Sequence, residues 1–299
     1  MKKFLICSLL GMVLLLDCTA QQGKPLIRFG LLSDIQYADS DTKGSRFYRN
    51  SLSKLESCVG DINSKDVEFT INMGDVIDRD QKDLDTVLHI LDKLEQPLYN
   101  TPGNHDYSGL KDNRLLYEKL KMPGEYYSFK RGNWKFVLLN TNEVASYSNV
   151  EGTWKEPELK SMFEKIKKEG GHNAAAYNGG ISSKQVQWLK EELEASQEKG
   201  EYVLIFSHHP MGCADGLTAL NKKEIVATVS KFSCVKALIA GHHHEGAYCL
   251  IAGIPCIVIE GMVETAGQNA YATVELYPGK MVLNGYGRVH SRVINVKGN

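Results

Sequence analysis

The sequence has no excess of charge of one sign. Its 299 residues include 35 lysines and arginines against 36 aspartates and glutamates, which gives a formal net charge of −1. Electrostatic binding to nucleic acid or to anionic lipid requires a concentrated basic surface. The composition therefore gives no reason to expect either of them as a partner.

No apolar run is long enough to span a bilayer as a mature helix. One short run, Phe4–Leu16, follows two lysines, which is the pattern of a signal peptide. Cleavage after Ala20 fits a site of small residues, whereas lipid attachment at Cys18 would follow an imperfect lipoprotein box, because Asp17 stands where a small residue is usual. We expect residues 1–20 to be a leader, with lipidated Cys18 as the alternative, and the mature protein to be periplasmic or secreted.

Cysteines are few, and they are not spaced as metal ligands. Those that follow the leader are Cys58, Cys213, Cys234, Cys249 and Cys256. An odd number without close pairs does not indicate a disulfide scaffold. One bridge is possible in an oxidising compartment, but the plainer interpretation is five buried thiols that pack as small apolar side chains.

The predicted elements alternate as in an α/β protein. Apolar strands are predicted at residues 26–32, 67–73, 97–101, 134–140, 202–206 and 235–240, and helices at 47–62, 84–94 and 182–193. Ser182 and Gln185 have the spacing of a capping box at the start of the last helix. Pro278-Gly279 predicts a turn between two later strands. Residues 142–178 are polar and irregular, and we interpret them as an insertion.

No linker, repeat or low-complexity segment interrupts the chain after the leader. We therefore expect residues 25–299 to form a single domain.

Five polar loops follow predicted strands. They are Asp34-Ile35-Gln36, Gly74-Asp75-Val76-Ile77-Asp78-Arg79, Gly103-Asn104-His105-Asp106, Ser207-His208-His209 and Gly241-His242-His243-His244. Taken singly, each has an ordinary explanation as a cap, a turn or a satisfied polar side chain. Together they supply oxygen and nitrogen donors at the carboxyl edge of a sheet, where α/β proteins bind ligands. In an extended segment, alternate side chains share a side, so Asp34 can act with Gln36, and His242 with His244.

This series of loops resembles the motifs of the calcineurin-like metallophosphoesterases, which are D-x-H, GDxxDR, GNHD or GNHE, a later histidine, and GHxH. The first motif departs from the pattern, because Gln36 stands where most members have histidine. The resemblance implies a β-sandwich flanked by helices in four layers, α/β/β/α, with two divalent cations at its edge. It implies Asp34, Gln36 and His244 as ligands of the first metal, Asn104, His208 and His242 as ligands of the second, and Asp75 as the bridge.

The resemblance also implies how such a site acts. Two cations about 3.5–4 Å apart can deprotonate a shared water and neutralise phosphoryl oxygens. His105 would face the substrate and protonate the leaving oxygen, with Asp106 holding its ring. Asp78 and Arg79 would orient Asp75 and the loops, although a plain surface cation is an equal alternative for Arg79. The choice of His208 over His209 rests on the family spacing alone.

Gln36 bears on the identity of the metal. An amide oxygen is a harder ligand than imidazole, so it favours manganese over zinc, with iron, zinc and magnesium as the further possibilities. The alternative is that Gln36 only forms hydrogen bonds nearby, and that the first metal has fewer protein ligands.

A narrower resemblance covers nearly the whole mature chain. The stretches at residues 46–52, 178–189, 241–248, 259–265 and 285–292 are similar to those of the manganese-dependent ADP-ribose/CDP-alcohol diphosphatases, a branch with D-x-Q in the first motif. The resemblance implies hydrolysis of nucleoside diphosphate derivatives to a nucleoside monophosphate and a phosphorylated alcohol. Alternatives are a phosphomonoesterase or a cyclic nucleotide phosphodiesterase on the same site, or a metal-stabilised binding protein without turnover.

Four residues are candidates for gripping the substrate. Arg46 and Arg49 offer charge, and Asn178 and Gly179 offer an accessible backbone. The ordinary alternatives are a solvated helix face for the two arginines and a simple turn for the other pair.

Overall fold

The computed structural model describes residues 23–296. The leader expected at residues 1–20 lies outside this range. Within the range, no helix combines the length and the apolar character that crossing a membrane requires.

Two six-stranded mixed sheets face each other. The strands are β1 (Ile27–Leu32), β2 (Phe69–Asn72), β3 (Leu98–Asn100), β4 (Tyr127–Arg131), β5 (Trp134–Leu138), β6 (Tyr202–Ser207), β7 (Val235–Ala240), β8 (Ala247–Ile251), β9 (Ile254–Val258), β10 (Ala270–Tyr277), β11 (Lys280–Gly287) and β12 (Arg292–Asn295). One sheet has the order β12-β11-β10-β1-β2-β3, and the other has the order β4-β5-β6-β7-β9-β8. β1, β2 and β3 are parallel, as are β5, β6, β7 and β9, so their carboxyl ends meet at one edge.

Helices cover the outer faces of both sheets. They are α1 (Asn50–Asn63), α2 (Leu84–Leu91), α3 (Asn113–Lys119), α4 (Lys155–Lys168), α5 (Ser183–Glu198) and α6 (Lys222–Val229). The first three share an apolar cluster with the β1–β2 sheet, and α5 and α6 share one with the β5–β6–β7 sheet. The predicted α/β/β/α order of layers is confirmed.

The main core lies between the sheets and is rich in phenylalanine. Phe29, Phe69, Phe136 and Phe206 are fully buried there, and the rings of Phe29 and Phe69 stack with their centroids 5.1 Å apart. Each buried ring contributes about 1.5–3 kcal/mol through the hydrophobic effect. Because helices cover the outer faces too, the central strands are apolar on both sides, which is why they appear in the sequence as continuous apolar runs.

The structure differs from the sequence predictions at several elements. The interpreted insertion contains helix α4, and β4 and α3 were not predicted. The capping box is only half formed. Ser182 Oγ accepts a bond from the Gln185 amide at 3.1 Å, but the Gln185 side chain donates to Glu143, which also accepts the bond from Ser182 N. The predicted turn at residues 278–279 is confirmed by the pairing of Tyr277 with Lys280.

The cysteine interpretation was wrong for two residues. Cys213 and Cys249 form a disulfide bond, with Cα atoms 5.6 Å apart, whereas Cys58, Cys234 and Cys256 are free and buried as expected. The bridge joins the loop after β6 to the edge strand β8. Since its partners lie 36 positions apart in the chain, only the fold brings them together.

Candidate metal centre

The five polar loops converge at the shared edge of the two sheets. They follow β1, β2, β3, β6 and β7. Several of their residues adopt the left-handed backbone conformation, with φ of 54° at Asp34, 43° at Gln36, 54° at Asp75 and 66° at His242. This conformation costs about 1–3 kcal/mol for each non-glycine residue. These residues are not extended, so the expectation that alternate side chains share a side does not explain their convergence. Backbone bonds from Asp34 N to Gly74 O and from Gln36 N to Asp75 O, at 2.9 and 2.8 Å, hold the turns instead.

The first group of donors contains Asp34, Gln36, Asp75 and His244. His244 Nε2 lies 3.4 Å from Asp34 Oδ1, and the Gln36 amide nitrogen lies 2.8 Å from Asp75 Oδ2 and 3.3 Å from His244 Nε2. Gln36 Oε1 is buried and has no hydrogen-bond partner. A 180° rotation of the amide exchanges its oxygen and nitrogen and would direct the oxygen at the group. An orphaned buried acceptor beside two carboxylates fits a cation.

The second group contains Asp75, Asn104, His208 and His242. His208 Nε2 lies 3.1 Å from Asn104 Oδ1, 3.1 Å from His242 Nδ1 and 3.5 Å from Asp75 Oδ2. Asp75 therefore belongs to both groups, as a bridging ligand must.

In each of the three histidines, one ring nitrogen points away from the centre. The hydrogen bond that this nitrogen makes fixes the tautomer, and the tautomer decides whether the other nitrogen can face the centre with a lone pair. His208 Nδ1 lies 2.9 Å from the Met73 carbonyl, and His244 Nδ1 lies 2.7 Å from Glu264 Oε1. These partners can only accept hydrogen bonds, so both Nδ1 atoms carry hydrogen and each Nε2 is available as a ligand. His242 is reversed, because its Nε2 donates to Asn178 Oδ1 at 3.1 Å.

The local electrostatics show how strongly the centre attracts positive charge. Burial alone would lower the pKa of His208, but the Asp75 carboxylate raises it to about 9. Burial also opposes the protonation of His244, yet Asp34 and Glu264 raise its pKa to about 9. The pKa of Asp75 is held well below its usual value despite burial, mainly by His208 and His105. The carboxylates thus favour positive charge at His208 and His244, whereas burial, together with His209 and His208, holds the pKa of His242 well below its usual value.

The structure distinguishes the role of His208 from that of His209. Both rings are fully buried and both have a nitrogen near His242, but only His208 also contacts Asn104. Thr141 and the Tyr177 carbonyl occupy the two ring nitrogens of His209, at 2.9 and 3.1 Å. Burial, with the charge of His208, lowers the pKa of His209 to about 3, so its ring is neutral.

Asp106 was expected to hold the His105 ring and Asp78 to orient Asp75, and the structure shows the reverse. Asp106 does not contact the His105 ring; it is fully buried and accepts bonds from the backbone N–H groups of residues 75, 76, 77 and 103. His105 Nδ1 instead donates to the Asp78 carbonyl at 2.6 Å, with Asp78 Oδ1 at 3.5 Å. Asp106 thus orients the loop that carries Asp75, and Asp78 fixes the His105 ring. The physical reason is that the side chain of Asp106 is directed beneath its own turn, where unpaired N–H groups converge.

A cleft of about 540 Å³ opens above the two groups. Its lining includes Ser45, Arg46, His105, Tyr177, Leu217, His243, Glu245 and Glu264 in addition to several of the donors. Arg46 is half-exposed, with Nη1 3.8 Å from Asp78 Oδ1. Arg79 does not touch Asp75; it pairs with Asp78 at 2.8 Å and lies over the Tyr48 ring.

Three of the four substrate candidates are not in this cleft. Arg49 lies outside and pairs with Asp39 and Asp41, each at 2.6 Å, on the exposed surface. Asn178 is buried and supports His242. Gly179 is packed so tightly that an added Cβ would lie 2.3 Å from the Thr141 carbonyl oxygen. Arg49, Asn178 and Gly179 therefore do not line this cleft, and Arg46 is the one candidate of the four that does.

Sequence reasoning missed Glu264, Tyr177 and Leu217. Glu264 lies within the stretch at residues 259–265, which is similar to the diphosphatase branch. That similarity is a sequence signal that could have identified Glu264 as a site residue. Tyr177 and Leu217 come from irregular loops and carry no motif. Only the fold places them over the centre.

Comparisons with known proteins agree with this geometry. The model of the calcineurin-like phosphoesterase family matches residues 27–246. A human relative named manganese-dependent ADP-ribose/CDP-alcohol diphosphatase is 29% identical, over 94% of this chain and 96% of its own. The relative of the same name from Danio rerio is 30% identical, over 90% and 98%. A solved dimetal phosphatase structure from Danio rerio has a TM-score of 0.83 at 29% identity and covers 92% of this chain and 100% of its own.

The family match extends over all five polar loops, and the two relatives cover 94% and 90% of this chain. The convergent donors and the four-layer fold agree with this match. The chain belongs to the calcineurin-like phosphoesterase family.

Proposed function

We propose that this protein is a manganese-dependent hydrolase of nucleoside diphosphate derivatives such as ADP-ribose and CDP-choline. It cleaves the P–O–P bond and releases a nucleoside monophosphate and a phosphorylated alcohol. Relatives of that activity that align over most of both chains support the proposal.

The observation that carries the proposal is the position of Arg46. Among the described residues that line the cleft, it is the only lysine or arginine. A two-cation centre engages one phosphoryl group, and a diphosphate has a second one to neutralise. Guanidinium matches the geometry of phosphate oxygens, so Arg46 is suited to bind the second group.

The ligand assignment follows the two groups of donors. Asp34, Gln36 and His244 would hold the first cation, Asn104, His208 and His242 would hold the second, and Asp75, which lies in both groups, would contribute to both. No sulfur belongs to either group, and the carboxylate, amide and imidazole donors suit manganese. When bound, the cations supply Lewis-acid stabilisation of the phosphoryl oxygens and an activated water.

His105 acts on the leaving group. Its ring lines the cleft beside the centre without joining either group of donors. The bond from Nδ1 to the Asp78 carbonyl leaves Nε2 directed away from that loop. In the imidazolium form, Nε2 can pass its proton to the departing phosphoryl oxygen, and the ring becomes the neutral Nδ1–H tautomer that the carbonyl stabilises. Arg79 neutralises Asp78 and keeps the support for His105 in place.

We also propose that the protein is exported, as its expected leader at residues 1–20 indicates. The Cys213–Cys249 disulfide supports this, because disulfides persist in oxidising compartments and are rare in the cytosol.

The test is turnover of a substrate panel by the purified, manganese-loaded protein. The panel contains ADP-ribose, CDP-choline, a nucleoside monophosphate and a cyclic nucleotide. We expect the first two to give the highest kcat/KM. A preference for the monophosphate or the cyclic nucleotide would overturn the substrate assignment, and absence of turnover with two metals bound would favour a binding protein.

A further inference from the structure

Lys54 lies on the buried face of α1, together with Ser51, Leu55 and Cys58. The residue is only 4% exposed. Burial of an ammonium group is costly unless its donors are satisfied. Such a lysine on a buried helix face therefore requires a specific partner.

The partner is the backbone of residues 262–265. The Lys54 ammonium group donates to the carbonyl oxygens of Met262, Glu264 and Thr265, the last two at 3.0 and 2.9 Å. An ammonium group has three N–H donors, so these three carbonyls satisfy it completely. Lys54 thus fastens this segment to α1.

The fastened segment is strained. Thr265 has φ of 64°, and the left-handed conformation is a marked outlier for a β-branched residue. Its cost is about 1–3 kcal/mol, which the surrounding contacts must offset. The carbonyl of Thr265 bonds to Lys54, and its N–H donates to Ser45 O at 3.2 Å. These two bonds hold the turn.

The segment carries the carboxylate that supports His244. Glu264 Oε1 accepts the bond from His244 Nδ1 at 2.7 Å. Glutamate is ordinarily ionised at neutral pH, so Glu264 accepts this bond as a carboxylate. A carboxylate on the outer nitrogen fixes the tautomer and the orientation of a ligating imidazole.

We propose that Lys54 is a positioning residue for His244: by holding residues 262–265, it places Glu264 on the imidazole and sets the affinity of the first metal position. The inference rests on the ligand assignment under the proposed function. His208 and His242 are supported by Met73 and Asn178 instead, so the second position is independent of Lys54.

The test is a manganese titration of the chelator-treated protein by calorimetry, without substrate. Lys54→Met should leave one equivalent bound as in the wild type and weaken the other by about 10- to 100-fold, the usual cost of losing outer support for a metal ligand. Glu264→Gln should weaken the same equivalent. The double variant should be no worse than the more impaired single variant, because both changes remove one support. Equal weakening of both equivalents, or of neither, would overturn the proposal.

Lys93→Met is the matched control. Lys93 is half-exposed and reaches Glu56, which lies in α1 as Lys54 does. Its loss should therefore leave the affinity of both manganese equivalents unchanged. If Lys54→Met does not fold, as judged by circular dichroism, Lys54→Arg and Glu264→Gln replace it, and both manganese binding and the low-field proton signal of His244 Nδ1–H are measured in each. The proposal is supported if this signal is lost in Lys54→Arg, or if it weakens while the first manganese equivalent also binds more weakly. An unchanged signal and unchanged binding in both variants contradict it. Failure of the wild type to bind two equivalents would instead refute the proposed function.

Discussion

Arg46 provides the most direct test of the diphosphate assignment. The Arg46→Gln variant removes the guanidinium charge and keeps a polar side chain. Two unit charges about 4 Å apart attract each other by about 4 kcal/mol at an effective dielectric constant of about 20. The Arg46 side chain is 38% exposed and also faces Asp78, so water and that carboxylate reduce this value. We expect a loss of about 1.5–3 kcal/mol, typical of a hydrogen bond to a charged group, which is a roughly 10- to 150-fold fall in kcat/KM.

The assay compares ADP-ribose and CDP-choline with p-nitrophenyl phosphate, which has a single phosphoryl group. The loss should appear for the two diphosphates and be nearly absent for the monoester. Arg49→Gln is the control, since Arg49 lies three residues further along and is already paired on the surface with Asp39 and Asp41. Equal losses on all three substrates, or the same loss in the control, would refute the assignment of Arg46 to the second phosphoryl group.

Three further predictions concern the metals and the proton donor. His105→Ala should lower kcat by about 10²- to 10⁴-fold with metal content unchanged by elemental analysis, and loss of metal would mean that His105 is a ligand. Gln36→His should shift preference from manganese towards zinc in a competition titration, and an unchanged preference would contradict the ligand-hardness argument. Since the pKa values of His208 and His244 are raised to about 9, both rings are protonated near pH 7 and must lose protons to bind metal. Manganese affinity should therefore rise by about tenfold per pH unit for each proton released between pH 6 and 8, and calorimetry in buffers of different ionisation enthalpy should detect the release; a flat profile would contradict this.

The convergence of the donor residues could be predicted from the sequence because it depends on topology. Parallel strands such as β1 and β2 end at one edge, so Asp34 and Asp75 had to be neighbours whatever the details of their loops. The apolar runs identified these strands, and the motifs identified the residues that follow them. The layer order, in contrast, came from the resemblance to the family and not from the apolar runs.

The directions of side chains were not predictable in the same way. Asp106 is adjacent to His105 in sequence, but the tight turn directs its carboxylate beneath the loop, and the His105 ring reaches Asp78 instead. Arg46 and Arg49 are the same residue type in the same stretch of sequence. Only the packing of the chain around residue 264 turns Arg46 towards the cleft. Such outcomes depend on tertiary contacts that no local pattern specifies.

The position of Asp106 has a consequence for how mutational data on this protein will appear. Its carboxylate organises N–H groups from two different loops, one carrying Asp75 and the other carrying Asn104. Substitution there would disturb the candidate ligands of both cations together, although Asp106 itself does not line the cleft. A screen that scores activity alone would rank Asp106 with the metal ligands, and thermal denaturation of the chelator-treated variants would separate the two classes.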